Sequence, residues 1–190
     1  MRRIVLMLAV AACGLTAPEA GVFEEGNRMH TETSFDVMVR APLAETAVLF
    51  SPEGERAWAG KHWDPQFVYP LPARDQQGAV FTINHGPVKA VWVVAQHNLE
   101  ARHIQYVYVI SDLMVATIDV RFQVIDPGTT KATITYARTA VTPEGDEHVK
   151  AMTQGDQTAG KDWQTAIDKY LAARQTPAPK QHSESEALQP

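Results

Sequence analysis

The stretch VATIDVRFQVI, Val115–Ile125, alternates along its length. Ile118, Val120, Phe122 and Val124 share one side, and Thr117, Asp119, Arg121 and Gln123 the other. A period of two sustained this far predicts a β-strand with one covered face and one wet face, as antiparallel sheets allow. Asp126-Pro127-Gly128 follows as a tight turn, and Thr130–Thr142 resumes with Thr, Ile and Tyr. The two runs predict neighbouring antiparallel strands whose apolar side needs a cover.

Working outward, Ala90–His97 and His103–Ile110 have the same Val, Ile and Tyr chemistry. Ala79–Asn84 lies between Gly78 and the breaker Gly86-Pro87, and Gln66–Tyr69 is a short strand. Thr33–Val39 places Phe35, Val37 and Val39 on one face. Between it and the later strands, Leu43–Phe50 has helical spacing. Ser51-Pro52 opens a second short helix, Glu53–Ala59, with serine as the cap and proline in the first turn. Pro143-Glu144-Gly145-Asp146 reads as a turn. From Glu147 the period changes, and Val149, Met152, Trp163, Ile167, Tyr170 and Leu171 fit one stripe of a long helix. Gly155 and Gly160 weigh against its first half. The order predicts an α+β fold, an antiparallel sheet covered by one late helix.

The 190 residues suit one domain, and 45% hydrophobic with 21% charged residues is a globular composition. The net charge of −5 argues against a nucleic-acid surface, which needs clustered Lys and Arg. A single cysteine excludes an internal disulfide framework and a CxxC zinc site. Residues 1–20 read as an export signal. Arg2 and Arg3 precede the apolar run Ile4–Ala12, which is too short to cross a bilayer, a task that takes ~20 residues. Cys13 follows Val10-Ala11-Ala12 and resembles a bacterial lipobox cysteine, which would tether the chain to a membrane. The alternative is ordinary cleavage near Ala12 or Ala20. Either route implies a periplasmic or membrane-anchored product. Residues 21–29 read as a tether, 30–174 as the folded domain, and 175–190, rich in Pro, Ser, Gln and Glu, as a disordered tail.

The word Ser51-Pro-Glu-Gly-Glu-Arg-Ala-Trp58 with Trp63-Asp-Pro65 resembles a block of the bacterial START-like superfamily (SRPBCC, which includes polyketide cyclase/dehydratase relatives). Gly78-Ala-Val-Phe81, Trp92-Val-Val94, Tyr106-Val-Tyr108 and Thr135-Tyr-Ala-Arg-Thr139 agree in order. The resemblance covers residues 30–174. It implies the helix-grip fold, a curved antiparallel sheet around a long C-terminal helix with two short helices after the first strand. It also implies a largely apolar cavity between sheet and helix. It implies no particular reaction.

Phe81, Ile83 and His85 share a face, as do Ile104, Tyr106, Tyr108 and Ile110, and Ile134, Tyr136 and Arg138. With those faces inward, the expected cavity wall comprises Trp58, Trp63, Phe81, His85, Trp92, Tyr106, Tyr108, Phe122, Tyr136 and Trp163. Such a wall is apolar with few polar points, the usual make-up of a small-molecule site. A packed core with the tyrosine hydroxyls at its rim is the competing reading. Glu53, Glu55 and Arg56 form either an acid/base set or, the favoured reading, the charged cap of a short helix. His62-Trp-Asp64 and His30-Thr-Glu32 have two-residue spacing, but no HExxH word occurs and a metal site is not expected. No GxSxG and no glycine-rich nucleotide word occurs, so no cofactor is expected.

Three functions remain. The first is a binding or carrier protein for an apolar small molecule of lipid, polyketide or aromatic type. The second is a cyclase/dehydratase- or hydrolase-type enzyme with an acid/base pair in the cavity, His85 with Tyr106 or Tyr136. The third is a protein-interaction module of the chaperone-cofactor kind, with a filled core and an exposed apolar patch.

Overall fold

The computed structural model describes residues 27–85 and 88–175. The signal segment with Cys13, the tether before residue 27 and the tail beyond residue 175 lie outside the described residues. Ten elements run in order. They are β1 (His30–Val39), α1 (Leu43–Leu49), α2 (Pro52–Glu55), β2 (Gln66–Tyr69), β3 (Val80–His85), β4 (Val88–Asn98), β5 (His103–Ile110), β6 (Met114–Asp126), β7 (Thr129–Ala140) and α3 (Pro143–Gln175). All strands pair antiparallel in one curved sheet, β1-β7-β6-β5-β4-β3-β2.

The alternation in β6 sets its register. Met114, Ala116, Ile118, Val120 and Phe122 are buried, each facing the covered side. Val124 departs from the expected pattern and is 38% exposed. The strand has outrun its neighbour there, because the β5 pairing ends at His103 opposite Arg121. The inward rows of the sheet form rungs. Phe81, Trp92, Tyr108, Ala116 and Arg138 sit opposite one another in succession, and Val94, Tyr106, Ile118 and Tyr136 form the next rung.

Two helix starts share one chemical word. In S51-P-E-G, the Ser51 hydroxyl accepts from the Gly54 N–H at 3.1 Å. In T142-P-E-G, the Thr142 hydroxyl accepts from the Gly145 N–H at 3.1 Å. The sequence reading of Pro143–Asp146 as a turn is therefore corrected: those residues are the first turn of α3, with threonine as N-cap and proline at the first helical position. The second short helix is shorter than expected, ending at Glu55 where Glu53–Ala59 was read. A Cβ placed on Gly145 would stand 1.9 Å from the Leu113 carbonyl oxygen. Gly145→Ala must therefore push α3 off the β5–β6 turn. We expect a loss of about 1–3 kcal/mol in a urea titration, the range for an overpacked site.

Helix α3 also covers the open edge of β1. Its Gln164 amide accepts from the Met38 N–H and donates to the Met38 carbonyl, both at 2.8 Å. Thr153 bonds Thr31 at 2.9 Å, Asp156 accepts from Thr33 at 2.6 Å, and Asp146 accepts from the Met29 N–H at 2.7 Å. The Gln164 bonds occupy backbone groups that an uncovered edge strand would offer to another chain, and the others fasten side chains and the segment before the strand to α3. Gly160 lets the helix lie close on Phe35, where an added Cβ would stand 3.1 Å from the Phe35 Cβ. Along the same stripe of the helix, Val149, Ile167 and Leu171 are buried in the core.

Candidate functional site

Between the sheet, α2 and α3 lies a cavity of about 500 Å³. The expected wall residues Trp58, Trp63, Trp92, Tyr106, Tyr108, Tyr136 and Trp163 all border it. Phe81 and Phe122 do not. Phe81 is fully buried behind the wall, stacked between Phe67 at 5.5 Å and Trp92 at 5.7 Å. Phe122 packs edge-on against Phe50 at 5.7 Å. Both point inward, but the adjacent rings have closed over them. His85 ends β3 opposite Val88, and its side chain lies outside what is described.

The SPEGERAW word explains how the α2 side of the cavity is built. The Trp58 indole N–H donates to the Leu49 carbonyl at 2.7 Å, and the Trp63 indole N–H to the Pro52 carbonyl at 2.9 Å. Helix-end carbonyls lack intrahelical partners, so each indole satisfies one and is fixed in place. Trp58 then meets Trp163 of α3 edge-on at 5.1 Å, and Trp63 meets Trp92 edge-on at 5.5 Å. Arg56 turns away from the cavity, donating to Glu53 at 3.1 Å, to Asp64 and to the Pro65 carbonyl. Glu53 is exposed in that ion pair. Glu55 is only 7% exposed and borders the cavity. The charged-cap reading thus holds for Glu53 and Arg56 but not for Glu55.

Burial pushes the Glu55 carboxyl well above its ordinary value, and the Asp75 carboxylate adds to the shift. Among the described residues no hydrogen bond meets the Glu55 side chain; its oxygens open onto the cavity, unlike the Trp92 Nε1 and Arg138 Nε atoms, which are sealed without a partner.

The polar points read from sequence are redistributed. The Tyr106 hydroxyl donates to the Phe50 carbonyl at 2.7 Å, so it is already engaged within the protein. Burial raises its pKa well above the usual tyrosine value, with Glu55 and Asp75 acting the same way. Tyr106→Phe leaves a buried carbonyl without its partner. The expected result is a stability loss of about 1–3 kcal/mol in thermal unfolding, with little change in the affinity of a bound ligand. Tyr108 donates only a weak contact to the Met152 sulfur at 3.9 Å and stacks on Trp92 at 4.3 Å. The Tyr136 hydroxyl has no hydrogen-bond partner among the described residues, and burial raises its pKa, with the charge of Glu55 the next cause.

Arg138, which sequence reading placed on the inward face without a role, borders the cavity at 3% exposure. Its guanidinium makes a two-pronged bond to Asp156 of α3, one arm at 3.0 Å. Burial works against the arginine charge, and the Asp156 carboxylate together with the Tyr108 hydroxyl more than offsets it. Arg138 also lies 4.3 Å over the Tyr136 ring. Asp156 and Met152 were legible only as helix residues. Nothing in the α3 sequence marked which of its carboxylates would meet a strand arginine. His62 and Asp162 stand at the cavity border on exposed positions. The remaining spaced pairs are otherwise engaged: His30 bonds Thr139 at 2.9 Å, and Asp64 accepts from Arg56. Among the described residues no three His, Cys, Asp or Glu side chains group as a metal site.

A curved sheet gripping a long terminal helix around an aromatic cavity defines a helix-grip protein. Solved structures of that class match the chain at low identity. Norcoclaurine synthase from Thalictrum flavum is 10% identical, with 90% of this chain and 99% of that chain covered at a TM-score of 0.57. The Mll3558 protein from Rhizobium loti is 15% identical, covering 78% and 99% at 0.52. An uncharacterised protein from Rhizobium leguminosarum is 16% identical, covering 75% and 98% at 0.50. No family model and no curated protein matches the chain. The chain has the helix-grip fold of the START-like proteins.

Proposed function

We propose that the protein is an exported bacterial binding or carrier protein that holds an apolar small molecule between the sheet and α3. The observation that carries this reading is the cavity of about 500 Å³ walled by four tryptophans, Trp58, Trp63, Trp92 and Trp163. Burial of ~300 Å² of ligand surface against such a wall supplies roughly 7 kcal/mol at ~25 cal/mol per Å² before association costs. Micromolar affinity corresponds to about 8 kcal/mol net, so burial of the ligand surface alone falls short of it, and burial of the cavity wall or polar contacts must supply the rest. The protein-interaction reading calls for a filled core, and a cavity of this size does not support it. The enzyme reading gains from Glu55, a cavity carboxyl with no hydrogen-bond partner among the described residues. It loses the proposed use of Tyr106, whose hydroxyl is held by Phe50.

Native mass spectrometry of protein purified from its own host tests the proposal. The expected result is a retained mass that organic extraction removes. A protein that retains nothing and does not take up N-phenyl-1-naphthylamine overturns it. Export rests on the Arg2-Arg3 and Ile4–Ala12 pattern and the membrane tether on Cys13. Fatty-acid labelling that persists in Cys13→Ser removes the tether.

A further inference from the structure

Glu55 stands out among the groups around the cavity. Its carboxyl is buried at the end of α2, borders the cavity and meets no hydrogen-bond donor among the described residues. The charged groups around it do not neutralise it. On its own helix, Arg56 faces outward into Glu53, Asp64 and the Pro65 carbonyl. Asp75, between β2 and β3, places a second carboxylate near it. From β5 and β7 it faces the hydroxyl-bearing rings of Tyr106 and Tyr136. His62 and the α3 residue Asp162 border the same cavity from exposed positions. The buried guanidinium on the cavity wall, Arg138, is matched by Asp156.

We propose that Glu55, in its uncharged acid form, is the polar anchor of the cavity and donates its O–H to a neutral carbonyl oxygen on an otherwise apolar ligand. This deepens the small-molecule reading and rests on it. An anionic ligand end beside Glu55 would be repelled by the nearby Asp75 carboxylate, which lies outside the cavity lining. A cationic end would have to repay the desolvation of an ion pair formed in the cavity. A neutral oxygen acceptor needs neither, and it gives a hydrogen-bond partner to a carboxyl that opens onto the cavity. The raised carboxyl pKa supports the same protonation state. Tyr136, also without a hydrogen-bond partner among the described residues, supplies a second hydroxyl donor on the adjoining wall, and a carbonyl oxygen has two lone pairs.

The test uses three probes with one apolar body: 2-ethylnaphthalene, 2-acetylnaphthalene and 2-naphthylmethylamine, each titrated calorimetrically into the wild-type protein, Glu55→Gln and Glu55→Leu. The amide of Glu55→Gln still donates, so 2-acetylnaphthalene affinity is expected to stay within about twofold. Glu55→Leu is expected to weaken that probe about five- to tenfold and to leave 2-ethylnaphthalene unchanged or tighter. In the wild type, the advantage from the acetyl oxygen declines as pH rises through the raised Glu55 pKa, because the carboxylate no longer donates. Stability provides a folding control. With Glu55 raised in the folded state, wild-type stability falls as pH rises above the ordinary 4.5, and Glu55→Gln lacks that fall. Three results overturn the anchor. One is an equal loss of both neutral probes in Glu55→Leu. Another is no loss of either. The third is tightest binding of the amine, rising with pH and abolished in Glu55→Gln, which makes the site a cation site. If no probe binds the wild type, the small-molecule reading fails and the anchor fails with it.

Discussion

Asp156→Ala is expected to lower stability by about 3–5 kcal/mol, because it strands the Arg138 guanidinium in the core. Arg138 is 3% exposed, and its Nε already has no hydrogen-bond partner among the described residues. Removing the carboxylate takes away both arms of the fork, one of them at 3.0 Å, and the bond from Thr33 at 2.6 Å. That carboxylate also ties α3 to both β7 and β1, so its loss should loosen the grip of the helix on the sheet. For a domain of this size each kcal/mol moves the melting temperature by about 2–4 °C, which places the shift on the order of 10 °C. The paired change Arg138→Met with Asp156→Leu should recover most of the loss, since a buried ion pair gains little over well-packed apolar side chains. If the double variant is as unstable as the single one, the cost does not come from the stranded charge.

Trp92→Ala is the second large effect, about 3–5 kcal/mol, with loss of ligand binding. Trp92 is 5% exposed and stacks on Tyr108 at 4.3 Å and on Phe81 at 5.7 Å. Deleting it opens the sheet side of the cavity, and the rung Phe81, Trp92, Tyr108 loses its middle member. Neighbouring rings are held from both sides, so the wall cannot simply collapse. Trp92→Phe makes the complementary case. The Trp92 indole N–H is buried without a partner among the described residues, so phenylalanine removes an unsatisfied donor along with some volume. Its cost should be about half that of alanine or less, with binding largely retained. Chemical denaturation together with titration of 2-ethylnaphthalene separates the two outcomes. Equal losses for phenylalanine and alanine would mean that the indole N–H contributes something that these contacts do not show.

Much of this molecule can be read along the chain. Alternation over Val115–Ile125 assigns β6 and its buried side. The rows Ile104, Tyr106, Tyr108, Ile110 and Ile134, Tyr136, Arg138 face inward as their period requires. Ser51 caps α2 as its position before proline implies. The misread turn at Pro143 was also legible, since T-P-E-G repeats the chemistry of S-P-E-G. The threonine hydroxyl, more than the glycine, was the informative residue. These features are local: strand direction, side-chain alternation and helix capping depend on residues within about four positions of one another.

What the tertiary structure alone decided is which inward groups remain available to a ligand. Tyr106 and Tyr136 share a rung and looked equivalent, yet Phe50, 56 positions from Tyr106, takes up one hydroxyl and nothing among the described residues takes up the other. Arg138 is matched by a helix carboxylate 18 positions away, while Glu55, read as a surface cap, turns inward without a match. Phe81 and Phe122 face the same side as the cavity wall but lie behind other rings. Period two fixes the side of the sheet toward which a residue points. Where α1, α2 and α3 come to rest on that side fixes whether the residue meets packed atoms, a hydrogen-bond partner or open space. That resting place depends on the packing of side chains far apart in sequence, which local periodicity does not encode.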